Sequence, residues 1–571
     1  MSLASETSLS PETATAARPP FARREGGGWL AAVLLLAGLA LIPLAALIAI
    51  AVGPAGDVWP HLVQTVLPRA ISTTVLLMLG VGLLAGTIGV GTAWLVVMHR
   101  FPGRGVLDWA LLLPLAVPTY IAAYAAVELA DFTGPLQTTI RMLGGYTLRR
   151  EYWFPEIRSL GGAVLVMGLV LYPYVYLAAR AAFLLQSACV LDVARTLGAG
   201  PRRVFFGVAL PLARPAIAVG VSLAMMECLN DIGAVQFFGV KTLTFSIYDT
   251  WLNRGSLAGA AQIAVAMLVV VLALLLAERW ARRGGRFSDT TTRLTPLGTR
   301  TLGPAAGLAA TAACLLPVLV GFAAPASVLV RSAMRRLDQA VDPAFHAAVV
   351  NSFVLAVVAA VVTVAAGTIV AYARRVRPDR PVRIAARVSA IGYAVPGTVL
   401  AVGILVPLAA LDNAVDAAAR ATLGVSTGLI LAGSGFGLVY AYLVRFLTIP
   451  LGTVEAGLGK LSTHLDMAAR ALGRTSLGAL REVHLPLLRP ALATAALMVF
   501  VDTMKELPAT VLLRPFNFET LSTTVFAAAS REHFEESALA ALAIVVVGLV
   551  PVILLARASS DTFRGGAGGS A

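Results

Sequence analysis

The chain has 571 residues, of which 58% are hydrophobic and only 13% are charged, whereas an ordinary soluble domain is about 25% charged. This composition excludes a soluble enzyme and a disordered regulator. The formal net charge is +14, from 44 Lys and Arg against 30 Asp and Glu. The basic residues fall mainly in short loops between apolar stretches, where they act as topology signals of a membrane protein, so no nucleic-acid partner is expected.

Apolar stretches follow one another along almost the whole chain. A helix needs about 20 apolar residues to cross a bilayer, and ten stretches without Asp, Glu, Lys or Arg are long enough: 29–56, 70–98, 109–127, 159–179, 255–277, 301–330, 343–373, 388–411, 421–444 and 537–556. Two shorter runs, 215–226 and 490–501, stop at Glu227 and Asp502. The sequence therefore predicts an all-α integral membrane protein with about twelve transmembrane helices, two of which carry acids.

Charge and composition predict the orientation of the chain. Residues 1–28 are rich in Ser, Thr, Ala, Pro and Gly, which predicts a flexible cytoplasmic tail. A cleaved signal peptide is the alternative, but the first apolar run far exceeds the hydrophobic region of such a peptide. Arginines recur in every second loop, which places both termini in the cytoplasm and the protein in the lipid bilayer as a multi-pass chain. The outer segment 129–158, with four arginines, is the exception.

A polar, Arg-rich linker divides the chain into two halves that repeat each other. At an offset of 275 residues, 194–198 matches 469–473, 210–216 matches 485–491 and 227–234 matches 502–509. Each half has an even number of spans, so the two copies have the same orientation and are related by an axis along the membrane normal. The predicted segments are the tail 1–28, the first half 29–278 with a core repeat of about 70–278, the linker 279–303, the second half 304–556 with a core repeat of about 347–556, and a cytoplasmic tail 557–571.

The best-matched segment is a loop, present once in each half; we name the copies the first repeated loop (187–211) and the second repeated loop (462–486). The first contains Asp192-Val193-Ala194, three residues, Gly198, nine residues, Val208, one residue and Leu210-Pro211. The second contains Met467-Ala468-Ala469, three residues, Gly473, nine residues, Val483, one residue and Leu485-Pro486. The glycines permit a sharp reversal into a second short helix. A connector kept similar by duplication alone is the alternative to a partner surface.

This spacing resembles the signature loop of bacterial ATP-binding-cassette importer permeases, and the chain resembles a permease with two fused six-helix halves of the type I importer fold. The resemblance implies that each loop docks in a cleft of an ATP-hydrolysing subunit. The residues that it would assign to docking are Asp192, Ala194, Gly198, Pro211, Asp466, Ala468, Ala469, Gly473 and Pro486. Met467 stands where the family has Glu, so Asp466 beside it is expected to supply the acid.

The chain is similar to the ferric-iron permeases from the first span to the last, through the segments 113–124, 231–240, 505–510 and 512–518. Relatives that carry thiamine, polyamines or phosphonates share parts of these segments. The resemblance implies an inner-membrane permease that moves ferric iron, with two cytoplasmic ATPase subunits and a periplasmic substrate-binding protein as partners. The run Gly457–Lys460 lacks the first Gly and the Ser/Thr of a Walker A sequence, so ATP is expected on the partner subunits, and no cofactor or catalysis in this chain.

Acids end the fifth span of each half, with Glu227 and Asp231 matching Asp502 and Glu506, and with Lys505 matching Asn230. Ionisable groups within spans usually face a pathway, so these five ionisable residues are candidates for an acidic vestibule that attracts a cation. The alternatives are that they cap a helix end, or that Lys505 and Glu506 pair structurally. Four carboxylates could supply hard oxygen ligands, but their spacing alone assigns no metal site.

A second class of function is a self-contained, ion-coupled secondary transporter that uses the same acids as proton or cation sites. That hypothesis leaves the two repeated loops without a role. A polytopic membrane enzyme would need a cluster of catalytic polar residues, which the sequence lacks.

Overall fold

The computed structural model describes residues 22–53, 58–186, 193–194, 196–282 and 300–564. In this part of the chain nine helices are long and apolar enough to cross a bilayer. Three further pairs of helices, bent by 94°, 47° and 79° at a short break, raise the number to twelve if each pair is one span. The predicted all-α fold with about twelve spans is therefore confirmed.

Most of the described residues of the first half lie in helices. They are α1 (Ala22–Val52), α2 (Val58–His61), α3 (Leu67–Met98), α4 (Arg104–Ala110), α5 (Thr119–Ala130), α6 (Pro135–Gly144), α7 (Leu160–Leu185), α8 (Pro201–Val204), α9 (Leu210–Asn230), α10 (Gly233–Phe237), α11 (Leu243–Tyr248) and α12 (Leu257–Arg282).

The second half follows the same plan. Its helices are α13 (Pro304–Val318), α14 (Ala324–Arg335), α15 (Pro343–Val376), α16 (Arg380–Ser389), α17 (Gly397–Leu423), α18 (Phe436–Phe446), α19 (Thr448–Gly459), α20 (His464–Ala471), α21 (Ser476–Ala479), α22 (Leu485–Leu487), α23 (Arg489–Lys505), α24 (Thr510–Leu513), α25 (Leu521–Ser530) and α26 (Ala538–Arg564).

Shorter elements join these helices. Single π-helical turns lie at Leu62–Val66, Phe205–Ala209, Asp249–Asn253, Leu319–Ala323 and Leu480–His484, and 3-10 turns at Leu113–Ala116, Arg149–Glu151, Leu337–Val341, Ile391–Ala394 and Phe534–Ser537. Two-residue strands, β1 (His99–Arg100) and β2 (Arg300–Thr301), pair in parallel.

Local sequence fixes where several helices begin. The Ser159 hydroxyl accepts a hydrogen bond from the Gly162 backbone N–H at 3.1 Å, and the Asp342 carboxylate accepts one from the Ala344 N–H at 2.9 Å. These short polar side chains satisfy N–H groups that a helix start leaves free, and each precedes a long apolar run. The two residues therefore cap α7 and α15.

The two halves share structural details at the same offset of 275 residues. The π-helical turns Phe205–Ala209 and Leu480–His484 occupy matching positions, and α9 and α23 end at the matching residues Asn230 and Lys505. The predicted tandem arrangement of two similar halves is therefore confirmed.

The first helix of each half packs against the other half. In α1, the Leu39 carbonyl accepts a hydrogen bond from the Tyr440 hydroxyl at 2.6 Å, and a Cβ on Gly403 would lie 2.1 Å from the Pro43 carbonyl oxygen. In α13, the Thr311 hydroxyl donates to the Pro102 carbonyl at 2.7 Å. The halves defined by sequence are thus interlocked in space.

Three predicted spans differ from the observed helices. The predicted span 388–411 is interrupted at Val395, which is extended before Pro396, so that its long helix begins only at Gly397. The predicted span 421–444 is wrong, because 424–435 form a loop in which Gly424 and Gly428 have positive φ, and the helix begins only at Phe436. The predicted span 109–127 is interrupted at Val117, which takes an extended conformation before Pro118. A residue before proline is pushed out of the helical region.

Helix ends also extend beyond the predicted halves. The helix α1 begins at Ala22, inside the segment predicted as a tail, and α26 ends at Arg564. Most of the predicted linker 279–303 lies outside the described residues.

Candidate functional site

A cavity lies between the two halves and brings the five predicted pathway residues together. Its lining includes Glu227, Asp231, Asp502, Lys505 and Glu506, and also Asn230, Tyr120, Tyr174, Tyr393 and Arg445. We name it the central cavity. The cavity forms where the helices α9 and α23 end, next to the breaks before α5 and α17. Helix ends and breaks leave space that continuous helices would fill.

Two of the four acids are held by backbone N–H groups. The Asp231 carboxylate accepts a hydrogen bond from the Ala234 N–H at 2.8 Å, and the Glu506 carboxylate accepts bonds from the Ala509 N–H at 2.9 Å and the Thr510 N–H at 3.0 Å. These acids satisfy N–H groups at the starts of α10 and α24. The helix-capping alternative therefore describes the observed geometry of this matched pair.

A network around Asn230 and Arg445 connects the two halves at the cavity. The Asn230 side-chain oxygen, in the first half, accepts hydrogen bonds from the Gly397 N–H at 2.8 Å and from Arg445 Nη1 at 3.0 Å, both in the second half. The same Nη1 lies 3.3 Å from Glu506 Oε1. The Arg445 and Glu506 side chains are 11% and 2% exposed, so this ion pair is buried at the junction of the halves.

The other charged residues of the cavity are arranged differently. Lys505 Nζ lies 2.8 Å from Asp502 Oδ1, so the lysine pairs with Asp502 and not with Glu506. Among the described residues Glu227 has no hydrogen bond or ion pair. The six charged groups of the cavity comprise four acids and two bases, a formal net charge of −2. Glu227 and Asp231 are therefore the two acids of the cavity that have no basic partner among the described residues.

The halves have diverged at one matched position beside the cavity. Thr119 follows Pro118 in the first half, and its hydroxyl donates to the Asp231 carboxylate. Gly397 follows Pro396 in the second half, and a Cβ there would lie 2.4 Å from Arg445 Nη1 and 2.8 Å from Glu506 Oε1. The glycine leaves room for Arg445, which binds Glu506 where Thr119 binds Asp231.

The cavity also contains a buried hydroxyl with no partner. The Tyr120 side chain is 4% exposed, and its hydroxyl has no hydrogen-bond partner among the described residues. Among all residues that the structure describes, no group of three or more His, Cys, Asp or Glu is arranged to hold a metal ion. The four acids therefore do not form a ready coordination sphere.

The described parts of the two repeated loops have the same shape. Gly198 and Gly473 have φ of 82° and 75°, and just after each glycine a backbone N–H reaches five residues back, from Ala199 to the Ala194 carbonyl and from Arg474 to the Ala469 carbonyl, both at 3.0 Å. This bond closes a helix end of the kind that requires a left-handed glycine.

An apolar residue projects from the tip of each repeated loop. Leu197 and Leu472, each just before its glycine, are 82% and 81% exposed. Each repeated loop therefore exposes a leucine at the same position, directly before the glycine that turns the chain.

The other residues assigned to docking have varied surroundings. Pro211, Ala468 and Pro486 are exposed, Ala194 is half-buried and Ala469 is buried. Asp192 lies outside the described residues.

Asp466 faces the membrane helices. Its Oδ2 lies 2.7 Å from Arg375 Nη2, and its Oδ1 lies 2.8 Å from Nε2 of His484, a side chain that is 0% exposed. Burial alone would raise the pKa of Asp466, but the hydrogen bonds from Arg375 and His484 outweigh burial and hold that pKa below its ordinary value. Met467 beside it is 62% exposed, so the methionine is the residue presented outward.

Sequence reasoning missed two arginines. Arg445 directly follows the predicted span 421–444 and Arg375 lies just after the predicted span 343–373, and both side chains are largely buried. An arginine followed at once by further apolar residues, as Arg445 is by 446–447, was the available signal.

Comparisons with known proteins identify the class of chain that carries this cavity and these loops. Residues 79–284 match the family described as binding-protein-dependent transport system inner membrane component. The chain is 25% identical over 548 residues to the Fe(3+)-transport system permease protein FbpB 2 of Haemophilus influenzae, which covers 95% of this chain and 99% of that relative.

Shorter relatives match about a third of the chain. The molybdenum transport system permease protein ModB of Escherichia coli is 32% identical over 206 residues, which are 35% of this chain and 86% of ModB. The sulfate transport system permease protein CysT of Escherichia coli is 27% identical over 207 residues, which are 36% of this chain and 71% of CysT.

Proposed function

The chain belongs to the family of binding-protein-dependent transport system inner membrane components and is a permease of an ATP-binding-cassette importer, and we propose that its cargo is ferric iron. The protein carries both permease halves in one chain. Iron would pass between the halves through the central cavity as the permease alternates between outward-open and inward-open states.

The observation that carries the proposal is the extent of similarity to an iron permease. The Fe(3+)-transport permease aligns with 95% of this chain, through both halves and the linker. The molybdenum and sulfate permeases align with 35% and 36% of it. The fused organisation is thus shared with the iron relative.

The charges of the central cavity favour a cation over an oxyanion. Both basic groups, Arg445 and Lys505, are already paired with acids. Glu227 and Asp231 have no basic partner among the described residues, so the six charged groups of the cavity sum to a formal charge of −2. An oxyanion would meet uncompensated negative charge, whereas a cation would be attracted.

The remaining machinery is proposed on separate subunits. Two cytoplasmic ATPase subunits would bind ATP and receive the tips of the repeated loops at Leu197 and Leu472, with Gly198 and Gly473 setting the turn. A periplasmic binding protein would deliver iron from outside. Both chain termini would lie in the cytoplasm. The two matched loop tips support this arrangement. In an ion-coupled secondary transporter these loop tips would have no role.

Uptake in proteoliposomes tests the cargo. The chain is reconstituted with the ATPase and binding protein of the same transport system, and entry of radiolabelled ferric iron, molybdate and sulfate is followed with and without ATP. ATP-dependent entry of iron alone is expected. Entry of either oxyanion instead of iron would overturn the iron proposal while leaving the permease class intact, and uptake of iron without the ATPase would favour the secondary transporter.

Replacement of the unpaired acid tests the cavity. Glu227→Gln is expected to lower the rate of iron uptake by about tenfold, because removing one interaction of about 1.4 kcal/mol in the pathway changes a rate tenfold. Glu227→Asp, which keeps the charge, should retain most of the uptake. Initial rates in the same proteoliposomes measure the effect, and equal rates for Glu227→Gln and the unmodified chain would remove Glu227 from the pathway.

A further inference from the structure

Asp466 connects the second repeated loop to two membrane helices through Arg375 and His484. We propose that these three residues are positioning residues, a joint that makes the second repeated loop and the cavity helix α23 move together. The inference rests on the proposed function, since it requires an ATPase that moves the loop. We name the three residues the Asp466 joint.

Arg375 provides the connection to α15. Besides its two bonds to Asp466 Oδ2, at 2.9 Å from Nε and 2.7 Å from Nη2, its guanidinium donates to the carbonyls of Leu458 at 2.5 Å and Ser462 at 3.1 Å. One side chain therefore holds the end of α19, the start of the loop and the first turn of α20. A planar fork with five donors suits this multiple attachment.

His484 provides the connection to α23. It is the last residue of the π-helical turn Leu480–His484, and its carbonyl accepts a hydrogen bond from the Leu488 N–H at 2.8 Å, directly before α23. The other end of α23 carries Asp502 and Lys505 in the central cavity. A displacement of α20 is thus passed through Asp466 and His484 to the helix that positions cavity charges.

The neighbouring helix α21 is anchored as well. The Ser476 hydroxyl accepts a hydrogen bond from Trp29 Nε1 at 3.0 Å, and the Ser476 carbonyl accepts one from the Tyr372 hydroxyl at 2.9 Å. The Tyr372 ring lies 5.3 Å from the His484 ring and 5.1 Å from the Trp29 ring. The second repeated loop is therefore packed against α15 and α1 around the joint.

The first half has different residues at the matching positions. Leu191 and Ala209 stand where the second half has Asp466 and His484, and neither can form an ion pair. The Ala209 carbonyl instead accepts one hydrogen bond from Gln186 Nε2 at 2.9 Å. An ion pair equivalent to the one between Asp466 and His484 cannot form at these two matched positions, of which Leu191 lies outside the described residues.

The ratio of iron ions imported per ATP hydrolysed tests the joint. In Asp466→Asn, and in His484→Ala, which introduces the residue of the first half, the ATPase should still bind and hydrolyse ATP. We expect the transport ratio to fall by about tenfold, within the range for residues that carry coupling between sites. Asp466→Glu, which keeps the carboxylate, should restore most of the ratio.

Glu482→Gln is the matched control. Glu482 belongs to the same loop and lies 3.0 Å from Arg474, but both side chains are about half exposed, at 49% and 55%. An unchanged ratio in Asp466→Asn and His484→Ala, or an equal fall in Glu482→Gln, would overturn the inference. Loss of ATPase binding in Asp466→Asn would overturn it too, since Asp466 would then act as a docking residue.

A distance measurement tests the joint without transport. Spin labels at His464, in the first turn of α20, and at Leu487, before α23, occupy exposed sites; the native cysteines are first replaced by serine. On addition of the ATPase and a non-hydrolysable ATP analogue, the distance between the labels should stay constant in the otherwise unmodified chain and change or broaden in Asp466→Asn. Constant distances in both chains would overturn the inference. Absence of ATPase binding to the unmodified chain would instead contradict the proposed function.

Discussion

Replacement of Arg445 by Met is expected to abolish iron uptake and to destabilise the folded chain by about 3 kcal/mol, the lower end of the cost of removing one partner of a buried ion pair. The Glu506 side chain, 2% exposed, would lose its cation, and Asn230 would lose one of the two bonds that join it to the second half. Uptake and thermal unfolding of the purified chain measure the two effects.

A second substitution tests the same contact without removing the arginine. Gly397→Ala would place a Cβ 2.4 Å from Arg445 Nη1 and 3.0 Å from the Ala509 backbone nitrogen. Because the guanidinium must move away, uptake should fall as it does in Arg445→Met. Gly452→Ala is the control, since nothing lies within 4 Å of a Cβ at that position.

The double variant Arg445→Met/Glu506→Gln separates stability from transport. Removing both charges should recover much of the lost stability, because neither member of this pair is left as an unpaired buried charge, but it should not restore uptake. Normal uptake by Arg445→Met would show that this contact between the halves is dispensable.

Much of the fold could be predicted because it follows from composition along the chain. Apolar runs, two shorter runs ending at Glu227 and Asp502, and an offset of 275 residues led to about twelve spans in two similar halves. The predicted span 421–444 is wrong because an uncharged run includes the loop 424–435, and because it stops at Arg445, which lies within α18 and lines the cavity. The glycine-rich segment before Phe436 was an unused signal.

The interlocking of the halves could not be predicted from patterning. Periodicity shows which residues are apolar but not which helix covers them, and α1 and α13 bury their faces on the half to which they do not belong by sequence. Which half a helix packs against depends on contacts between residues distant in sequence, such as Gly403 against Pro43.

The candidate site was predictable as a group of residues but not in its internal arrangement. Matching acids indicated a common place, and the cavity contains all of them. Whether an acid caps a helix depends on backbone N–H groups close to it in the fold. Asp231 and Glu506 accept hydrogen bonds from such groups, whereas Glu227 accepts none among the described residues. Asp466 was expected to face a partner, and its direction depended on Arg375, distant in sequence.

Replacement of both loop glycines by proline is expected to abolish ATP-driven uptake. Gly198 and Gly473 have φ of 82° and 75°, whereas proline requires about −65°, and in the second loop proline also removes the 2.9 Å bond from the Gly473 N–H to the Arg470 carbonyl. The turns would open and displace Leu197 and Leu472 from their matched positions. Uptake and ATPase binding by the double variant are measured together.

The loss of uptake in the proline variant should come from lost coupling to the ATPase and not from misfolding. Each turn is exposed, and nothing lies within 4 Å of a Cβ on either glycine. Local backbone strain of this kind costs about 1–3 kcal/mol, so the membrane helices should still fold, as thermal unfolding of the purified variant would report. Gly207→Ala/Gly459→Ala is the control, since Gly207 lies within the first repeated loop and Gly459 just before the second, neither has a positive φ, and both have room for a methyl group. Full uptake by the proline variant would mean that the repeated loops are connectors retained by duplication and do not transmit the motion of the ATPase.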